Sequence, residues 1–446
     1  MKNNGLAKNL LICGDNLKVL DDLIKQGIKV DLIYLDPPFF SNRHYEVIWG
    51  DEAEIRSFKD RWEGGINVYI EWMKERVIKT YEILEGTGSF YLHCDSHASH
   101  YLKLILDDVF GFSNFQNEII WRRTPFKGSS KSRAKQLPRC HDVILFYTKG
   151  KDWIWNPPTM PYSEAYLKRF KWKDERGYYR KTLLKTYSAE TLNRLKQENR
   201  LIAPTKQGAK FSYKQYLDDS RGAIQVDDVW TDINMINPVA RERLGYPTQK
   251  PEALLERIIN ASSNKGNLIL DPFCGCGTAM AVAQQLGRKW IGIDISPTAI
   301  KLIETRLAKL GAIKGKDFDS IGMPTTVTEL KSLEPFEFQN WVINEMQAKQ
   351  SKRTVADGGL DGHIDRSLYS EEAGIQVKQS ENVGRNIVDN FETALERKKY
   401  KKGYIVGFGF TKGAHEEAAR VKEEKGLYIK LITVEDLLKR KPGLLK

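Results

Sequence analysis

The sequence predicts an α/β protein with a doubly wound parallel sheet, an irregular insertion and a second, smaller α/β domain. Three observations support this fold class. Strand and helix patterns alternate from residue 9 to 93, the alternation returns from 267 to 296, and a separate set of short strands and helices fills 335–446. Because 446 residues exceed one hydrophobic core, we expect several domains.

The first half contains two strand-helix-strand units. A short apolar strand (Leu10 to Cys13), an amphipathic helix around Leu17 to Ile24 and the strand "VDLIYL" form the first unit. In the second, "YIEWMKERVIKTYEILEGTG" predicts a helix that stops at glycine, and "SFYLHCD" predicts a strand. Such alternation is typical of a parallel sheet covered by helices.

The second half repeats the pattern in "NLILDPFCGCGTAMAVAQQLGRKWIGIDIS", with a strand, a glycine loop, an alanine-rich helix ended by Gly287 and another strand. We therefore expect both halves to share one sheet. Between them, Trp and Tyr alternate with Lys and Arg, which indicates an insertion that displays cations and aromatic rings. The predicted regions are a first half (1–150), the insertion (151–245), a second half (246–315), a linker (316–334) and the C-terminal domain (335–446).

The composition favours a polyanionic partner. Seventy Lys and Arg against 58 Asp and Glu give a net charge of +12, although a merely soluble basic protein stays open. The chain has five cysteines, no apolar run near the ~18 residues of a membrane span and no N-terminal signal pattern. We therefore expect a reduced, cytoplasmic protein without membrane contact.

The stretch "LDPPFF" ends a buried strand with a stiff acidic turn. Pro37 and Pro38 have fixed φ and no N–H, so their carbonyls and the Asp36 carboxylate form a cluster of acceptors. An exocyclic base amine with two N–H groups fits this cluster, and Phe39 can stack on its ring. The alternative is an ordinary strand-ending turn with Phe39 in the core.

The glycine loop "DPFCGCGT" lies between a strand and a helix, where Gly275 and Gly277 permit close approach of a ligand. The next strand ends in Asp294, which is placed to accept hydrogen bonds from ribose hydroxyls. Met280 stands where a dinucleotide site has its third glycine, so a nicotinamide dinucleotide is the weaker interpretation. We interpret Cys274 and Cys276 as small loop fillers.

Together these motifs resemble the amino-methylating DNA methyltransferases, which act on adenine N6 or cytosine N4 and use S-adenosylmethionine. The resemblance rests on "DPPF", "YPTQKPEALLERII", "DPFCGCGT…IGIDI", "LICGDNL", "GSFYLHCD", "CHDVILFY" and "DDVWTDI", and covers roughly Asn9 to Ala312. It implies a Rossmann-like methyltransferase sheet whose catalytic half precedes its cofactor half, with the target-recognition insertion between them.

The resemblance also implies roles for individual residues. Asp36 and the Pro37 carbonyl, in the turn that Pro38 continues, would hold the target amine, and Phe39 would stack on a base flipped out of double-stranded DNA. The implied cofactor residues are Asp15 at the adenine, Thr248, Gln249 and Lys250 closing the site, Phe273, Gly275 and Gly277 around the methionine part, Asp294 at the ribose, and Asp271 at the start of the glycine loop. Aspartate at position 36 favours adenine N6, with cytosine N4 left open.

Two local patterns argue against other chemistries. No cysteine lies in the Pro-Cys context that cytosine C5 methylation requires. In "HCDSHASH", His97 and His100 would share a helix face, but one i,i+3 pair is weak evidence for zinc, and we prefer hydrogen-bonded polar side chains at a strand end.

The C-terminal segments "DGGLDGHID" and "GIQVKQS" resemble the Mrr-type branch of the PD-(D/E)xK nucleases, over roughly Phe336 to Leu438. The resemblance implies that Asp361 and the Val377 carbonyl hold Mg²⁺, that Gln376 positions it and that Lys378 orients the attacking water. Glu337 would assist the metal. The alternative is a domain that only binds DNA.

We therefore predict an adenine-specific DNA methyltransferase joined to a restriction-endonuclease-like domain. Methylation alone, with a DNA-binding C-terminal domain, is the second hypothesis, and an enzyme acting on RNA or a small molecule is the third. A homodimer is left open, and the recognition sequence is not readable from the insertion.

Overall fold

The computed structural model describes residues 6–40, 44–45, 58–59, 65–124, 137, 139–204, 210–220, 223–246, 248–346, 348–350, 360–364 and 372–439. The strands are β1 (Asn9–Cys13), β2 (Val30–Leu35), β3 (His44–Tyr45), β4 (Phe58–Lys59), β5 (Leu84–Cys94), β6 (Phe115–Arg122), β7 (His141–Thr148), β8 (Thr159–Pro161), β9 (Trp172–Asp174), β10 (Gly177–Leu183), β11 (Leu201–Ile202), β12 (Ser212–Tyr216), β13 (Ala223–Gln225), β14 (Val229–Trp230), β15 (Leu268–Asp271), β16 (Lys289–Asp294), β17 (Phe318–Ile321), β18 (Lys349–Gln350), β19 (Gly362–Ile364), β20 (Ala373–Lys378), β21 (Lys402–Gly407) and β22 (Tyr428–Thr433).

The α-helices are α1 (Asn16–Lys25), α2 (Ile66–Ile83), α3 (Ser99–Phe110), α4 (Glu164–Leu167), α5 (Ala189–Gln197), α6 (Glu252–Ser262), α7 (Thr278–Gln285), α8 (Pro297–Lys309), α9 (Val327–Lys331), α10 (Pro335–Glu345), α11 (Arg385–Lys398), α12 (Lys412–Lys425) and α13 (Val434–Leu438). In the described part of the chain, no helix is long and apolar enough to cross a membrane.

A nine-stranded sheet joins the two halves of the chain, in the order β14-β6-β7-β5-β2-β15-β16-β1-β17. The pairs from β5 to β17 are parallel, whereas β7 is antiparallel to both β5 and β6. Because β2 pairs with β5 on one side and with β15 on the other, the prediction of a single shared sheet is confirmed.

The central strands are buried on both faces, as expected for a parallel sheet covered by helices. All six residues of β2 and all four of β15 are buried. The carboxyl ends of parallel neighbours lie at the same edge of a sheet, so Asp36, Asp271 and Asp294, which end or follow β2, β15 and β16, lie at one edge.

The structure differs from the sequence expectation at two segments. No glycine ends α2, because β5 begins at once with the buried Leu84, which pairs with Val30, and continues through Gly86 and Gly88. The expected linker contains β17, which pairs with β1, and α9, whose first turn has a Thr326–Glu329 capping box. The apolar Phe318 is buried and explains why this polar segment joins the sheet.

The insertion contains a compact unit, Asn156–Asp228. It has a four-stranded antiparallel sheet, in the order β11-β12-β10-β9, and the two-stranded pair β13-β8. Of its apolar side chains, Phe170, Leu184, Leu195 and Tyr216 are buried, whereas Trp172 and Tyr178 are exposed.

The C-terminal domain is built on a five-stranded sheet, β18-β19-β20-β21-β22. Apolar residues of α10 pack with Ile375 and Val377 of β20 in one cluster. A second cluster contains residues of α11 and α12 together with Ile405 and Ile429. The sheet is therefore covered by helices on two faces, and the predicted small α/β domain is confirmed.

Gly277, at the start of α7, provides a test of the packing between the glycine loop and α8. Its φ is +72°, and a Cβ would lie 2.7 Å from Cγ1 of the buried Ile303. We expect Gly277→Ala to lower the free energy of unfolding by about 1–3 kcal/mol more than Gly287→Ala. Gly287 is the matched control, since its φ is +69° but its Cβ would meet only the flexible Lys265 side chain. Urea denaturation measures both, and equal losses would contradict this account.

Candidate active site

A cavity lies at the carboxyl edge of the nine-stranded sheet. Most of the residues predicted from the two motifs line it. They are Asp36, Pro37, Pro38, Phe39, Thr248, Lys250, Asp271, Phe273, Gly275 and Asp294. The acidic proline turn and the glycine loop, more than 230 residues apart in the chain, therefore face one space.

The acidic proline turn is held by buried aromatic side chains. Tyr69, a buried residue of α2, donates its hydroxyl to the Pro38 carbonyl at 2.8 Å. The Phe39 ring stacks on the imidazole of the buried His93, with centroids 5.8 Å apart and an interplanar angle of 23°. The turn and its aromatic tip are thus fixed before any ligand binds.

Lys250 occupies the position between the two predicted catalytic side chains. Its ammonium donates to the Asp36 carboxylate and lies 5.2 Å from the centroid of the Phe39 ring. Both side chains of the ion pair are largely buried. A nitrogen that carries N–H groups therefore fits between the carboxylate and the ring.

The glycine loop fixes Asp294 through backbone donors. Gly275, with φ +50°, donates its N–H to one Asp294 oxygen at 2.8 Å, and Ser296 donates its N–H to the other at 2.9 Å. Burial raises the pKa of Asp294 to about 6, while these two hydrogen bonds oppose the rise. Asp294 is therefore ionised above pH 6, with its orientation set.

Asp271, at the end of β15, is a second buried acid beside the glycine loop. Burial is the main cause that raises its pKa well above the usual range, and the nearby Asp36 and Asp294 carboxylates raise it further. It accepts the Phe273 N–H at 3.1 Å, and the Phe273 ring contacts Trp72 of α2 at 5.7 Å between centroids. Asp271 thus orders the loop by accepting a backbone N–H, and its surroundings favour its protonated form.

Three predicted site residues do not line the cavity. Asp15 caps α1 by accepting the N–H groups of Leu17 and Lys18 and pairs with Arg76 at 3.3 Å. Gln249 accepts the Leu244 N–H at 2.8 Å and donates to the Glu242 carbonyl at 2.6 Å, which shapes the loop before α6. Gly277 gives α8 room to pack.

Several other residues that line the cavity were not predicted as site residues from the sequence. They are Tyr34, Tyr246, Leu255, Cys274, Cys276, Thr278 and Ala279. All lie within or beside the quoted motifs, so proximity to a motif was the available signal. Cys274 and Cys276 are buried free thiols whose pKa is raised by burial, in agreement with their interpretation as loop fillers.

His93, on which Phe39 stacks, belongs to a buried polar network with Tyr34 and Asp142. The Tyr34 hydroxyl lies 2.8 Å from His93 Nδ1, and His93 Nε2 lies 3.2 Å from Asp142. Arg123 pairs with Asp142 at 3.2 Å. In this arrangement Asp142 accepts the Nε2–H and Nδ1 accepts the tyrosine proton, so both ring nitrogens of His93 are engaged.

No metal-ligand cluster includes the histidines of "HCDSHASH" within the described residues. His97 instead contacts Asp95 at 2.8 Å and Arg139 at 2.6 Å. A group of three acids lies elsewhere, on α11 and α12 of the C-terminal domain. Asp389, Glu392 and Glu417 are paired with Arg385, Arg420 and Lys425.

The predicted nuclease residues lie together on the C-terminal sheet. The Asp361 carboxylate accepts the Val377 N–H at 2.6 Å, and Gly362 pairs with Ile375, which places Asp361 opposite Gln376. Gln376 and Lys378 alternate with Ile375 and Val377, so they point to the face away from α10. Gln376 is buried, and its Oε1 has no hydrogen-bond partner among the described residues.

Glu337 does not lie with these residues. It belongs to α10, on the opposite face of the C-terminal sheet, and both of its carboxylate oxygens lie 3.1 Å from the Ser296 hydroxyl. The expectation that Glu337 assists a nuclease metal is therefore wrong, because this carboxylate is engaged at the start of α8.

Comparison with known proteins agrees with this arrangement. A family model described as DNA methylase matches residues 30–305, and one described as restriction endonuclease matches residues 330–440. The chain is 31% identical over 389 residues to the Type II methyltransferase M.EcaI of Enterobacter cloacae, over 79% of this chain and 82% of that protein. The chain therefore belongs to the DNA methylase family, and its C-terminal region matches the restriction endonuclease family.

Other relatives are less similar. The Type II methyltransferase M.HpaI of Haemophilus parainfluenzae is 30% identical, over 67% of this chain and 73% of its own. DNA adenine methyltransferase YhdJ of Escherichia coli K12 is 27% identical to this chain, and the match covers 68% of this chain and 84% of YhdJ. The match to the solved M1.HpyAVI–SAM complex covers 67% of this chain and 98% of that protein, at 18% identity. Its TM-score of 0.38 is too low to support a functional inference.

The network beneath Phe39 makes His93 important for stability. We expect His93→Ala to lower the free energy of unfolding by roughly 2–5 kcal/mol, since it leaves the buried Tyr34 hydroxyl and Asp142 carboxylate without their partner. His97→Ala is the matched control, because its side chain is 30% exposed; we expect it to cost under about 1 kcal/mol. Urea unfolding followed by circular dichroism measures both, and similar losses would show that the network adds nothing.

Proposed function

We propose that this protein transfers a methyl group from S-adenosylmethionine to the exocyclic N6 amine of adenine in double-stranded DNA. The observation that carries the proposal is the Lys250 ammonium, which is bound by Asp36 and lies over Phe39 at the edge of a cavity shared with the glycine loop. A flipped adenine presents an N–H donor attached to an aromatic ring, which matches this carboxylate and this ring.

The charge of the cavity favours a cationic cofactor. Among the described residues that line it, the Asp36 and Asp294 carboxylates face one ammonium group, that of Lys250, while burial raises the pKa of the third acid, Asp271. The sulfonium of S-adenosylmethionine is attracted to such a site. Asp294 is oriented to accept ribose hydroxyls, and the approach at Gly275 depends on the missing Cβ, which would lie 3.3 Å from the Tyr246 ring.

When bound, the sulfonium supplies an activated methyl group, so the protein needs no covalent nucleophile. Asp36 and the proline turn accept hydrogen bonds from the target amine and direct its lone pair toward the methyl donor. Phe39, fixed on His93, stacks on the base. Lys250 leaves the Asp36 carboxylate when the base enters, and the apolar walls exclude water.

The insertion offers a surface for DNA. Its exposed Trp172 lies under the Lys181 ammonium at 4.9 Å, and the exposed Tyr178 lies 5.2 Å from the Lys173 ammonium. Exposed cations beside aromatic rings suit phosphate and base contacts. We assign target recognition to 151–245, with the catalytic half at 1–150 and the cofactor half at 246–315.

Adenine is favoured over cytosine by two observations. Position 36 is aspartate rather than serine, and one relative, YhdJ, is named a DNA adenine methyltransferase. Mass spectrometry of nucleosides from DNA methylated by this protein distinguishes N6-methyladenine from N4-methylcytosine.

We further propose that the C-terminal domain cleaves DNA, as part of a restriction-modification protein. The support is the proximity of Asp361, Gln376 and Lys378, together with the buried Gln376 Oε1 that has no hydrogen-bond partner among the described residues. Oxygen ligands of this kind suit Mg²⁺, which when bound polarises the phosphate. Asp361 and the Val377 carbonyl would hold the ion, Gln376 would position it, and Lys378 would orient the attacking water.

The division of roles in the methyltransferase site is testable with two aspartate variants. We expect Asp36→Ala to lower methyl transfer at least about 10²-fold while the Kd for S-adenosylmethionine changes less than about twofold. Asp294→Ala should raise that Kd about 10- to 100-fold, because charged hydrogen bonds to the ribose are lost.

Labelled methyl transfer to duplex DNA and isothermal titration calorimetry give the two readouts. Asp22→Ala, which removes an exposed carboxylate of α1, is the control and should change neither. An equal loss of cofactor affinity in Asp36→Ala and Asp294→Ala would refute the proposed division.

The nuclease proposal predicts Mg²⁺-dependent cleavage of unmethylated DNA that requires Asp361 and Lys378. Asp361→Ala and Lys378→Ala should each abolish cleavage and keep methyl transfer, whereas Lys412→Ala, at a 92% exposed lysine of the same domain, should keep both. The assay uses DNA from cells without methyltransferases, with and without S-adenosylmethionine. If the unaltered protein cuts under neither condition, the methylation-only hypothesis replaces this one.

A further inference from the structure

Glu337 links the C-terminal domain to the cofactor half of the methyltransferase. It lies in the first turn of α10, and its two carboxylate oxygens are each 3.1 Å from the hydroxyl of Ser296, the residue that caps α8. The same hydroxyl accepts the Ala299 N–H at 3.2 Å, so its own proton is available to donate to Glu337. The contact thus has a donor on α8 and a carboxylate acceptor on α10.

Ser296 also connects Glu337 to the proposed cofactor site. Ser296 is buried and donates its backbone N–H to Asp294 at 2.9 Å. Between the two lies Ile295, whose side chain is 61% exposed beside the proposed ribose site. One residue of the C-terminal domain is therefore two hydrogen bonds away from the carboxylate that we assign to the ribose.

A second contact joins the same two helices. Lys301 of α8 pairs with Glu345, the last residue of α10, at 3.6 Å. The helices therefore contact each other over more than one turn. This pair provides a control, because Glu345 shares the interface without contacting Ser296.

We propose that Glu337 is a further cofactor-site residue, supplied by the C-terminal domain, which positions Ser296 and attracts the positive charge of S-adenosylmethionine. The inference rests on the proposed function. It implies that cofactor binding and docking of the C-terminal domain favour each other, since coupling between two binding events is reciprocal.

The ionisation of Glu337 gives the coupling a pH dependence. Burial raises its pKa to about 7; the Ser296 hydrogen bond opposes the rise, and Asp294 at the end of β16 adds to it. On β1, the Cys13 thiol faces Glu337. Burial raises the pKa of this thiol to about 12, so it carries no charge near neutral pH. From α8 it faces the Ser296 hydroxyl and the Thr298 N–H, while the charged pair between α8 and α10 is Lys301–Glu345.

The raised pKa of Glu337 determines how docking and cofactor affinity change with pH. Docking takes up a proton on Glu337 between the pKa of an exposed glutamate and about 7, so the docked state loses stability as the pH rises across that range. Above about pH 7 the full cost of burying the charge is present. A bound cation favours the ionised carboxylate and offsets this cost. Cofactor affinity should therefore rise between pH 6 and pH 8, with contributions from both Asp294 and Glu337.

The test compares the full chain, Glu337→Gln and the control Glu345→Gln by calorimetric titration with S-adenosylmethionine at pH 6 and pH 8. S-adenosylhomocysteine, which lacks the sulfonium charge, is titrated in parallel. We expect Glu337→Gln to weaken S-adenosylmethionine binding about three- to tenfold at pH 8, and less at pH 6. It should weaken S-adenosylhomocysteine binding less at either pH, and Glu345→Gln should match the unaltered chain.

A second measurement distinguishes a loss of coupling from a simple disturbance of the interface between α8 and α10. Hydrogen exchange of the α10 amides should slow when S-adenosylmethionine is added to the unaltered chain at pH 8, and should slow less in Glu337→Gln. Equal pH dependence in both chains, or an equal loss of both ligands, would overturn the role of Glu337. If the unaltered chain binds neither ligand at any pH, the proposed function itself fails.

Discussion

The parallel pairing of β2 with β15 is the contact on which the rest of the structure depends. It joins Leu32 to Ile269 and Ile33 to Leu270 in the centre of the sheet, where both strands are buried. The buried Asp31 carboxylate accepts the Leu268 N–H at 2.8 Å and fixes the register at the amino end of the pair. With the register set, Asp36 and Asp271 must leave the sheet at the same edge.

This register also determines the electrostatics of the site. Two acidic motifs meet in one cavity, which raises the free energy of every carboxylate there. The structure meets this cost in three ways: burial raises the pKa of Asp271 and favours its protonated form, Asp294 receives two backbone N–H groups, and Asp36 receives the Lys250 ammonium. The remaining negative charge favours a cationic ligand over an anionic one, and we propose that S-adenosylmethionine uses it.

Residues outside the two motifs also contact the site at this edge of the sheet. The His93 network holds Phe39 through the buried ends of β2, β5 and β7, and the α8 cap reaches the C-terminal domain through Glu337. In our proposal the two activities therefore meet through packed helices rather than through a flexible tether. The segment 316–334, which is polar in sequence, contributes β17 to the methyltransferase sheet.

Local sequence was sufficient for the fold class, the two main motifs and most residues of the cavity. Strand periodicity, proline geometry and glycine spacing act over a few residues, so the elements around Asp36, Gly275 and Asp294 could be predicted at their observed positions. Asp361, Gln376 and Lys378 lie close together because a turn and one strand hold all three, whereas their roles come from the family resemblance and stay a prediction. Asp15 caps α1 through N–H groups two and three residues further on, which is also a local pattern. By contrast, the partners of Gln249 and Glu337 depend on a loop conformation and on helix packing that no short motif describes.

By itself, the sequence determined which residue types stand at the ends of the strands, and hence an acidic turn and a glycine loop. The tertiary structure alone decided that Lys250 lies on Asp36, that His93 lies beneath Phe39 and that Glu337 faces Ser296 rather than a nuclease metal. The physical reason is that each of these contacts joins residues far apart in the chain. Such contacts follow from sheet register and helix packing, which depend on the summed burial of many side chains and not on any short motif.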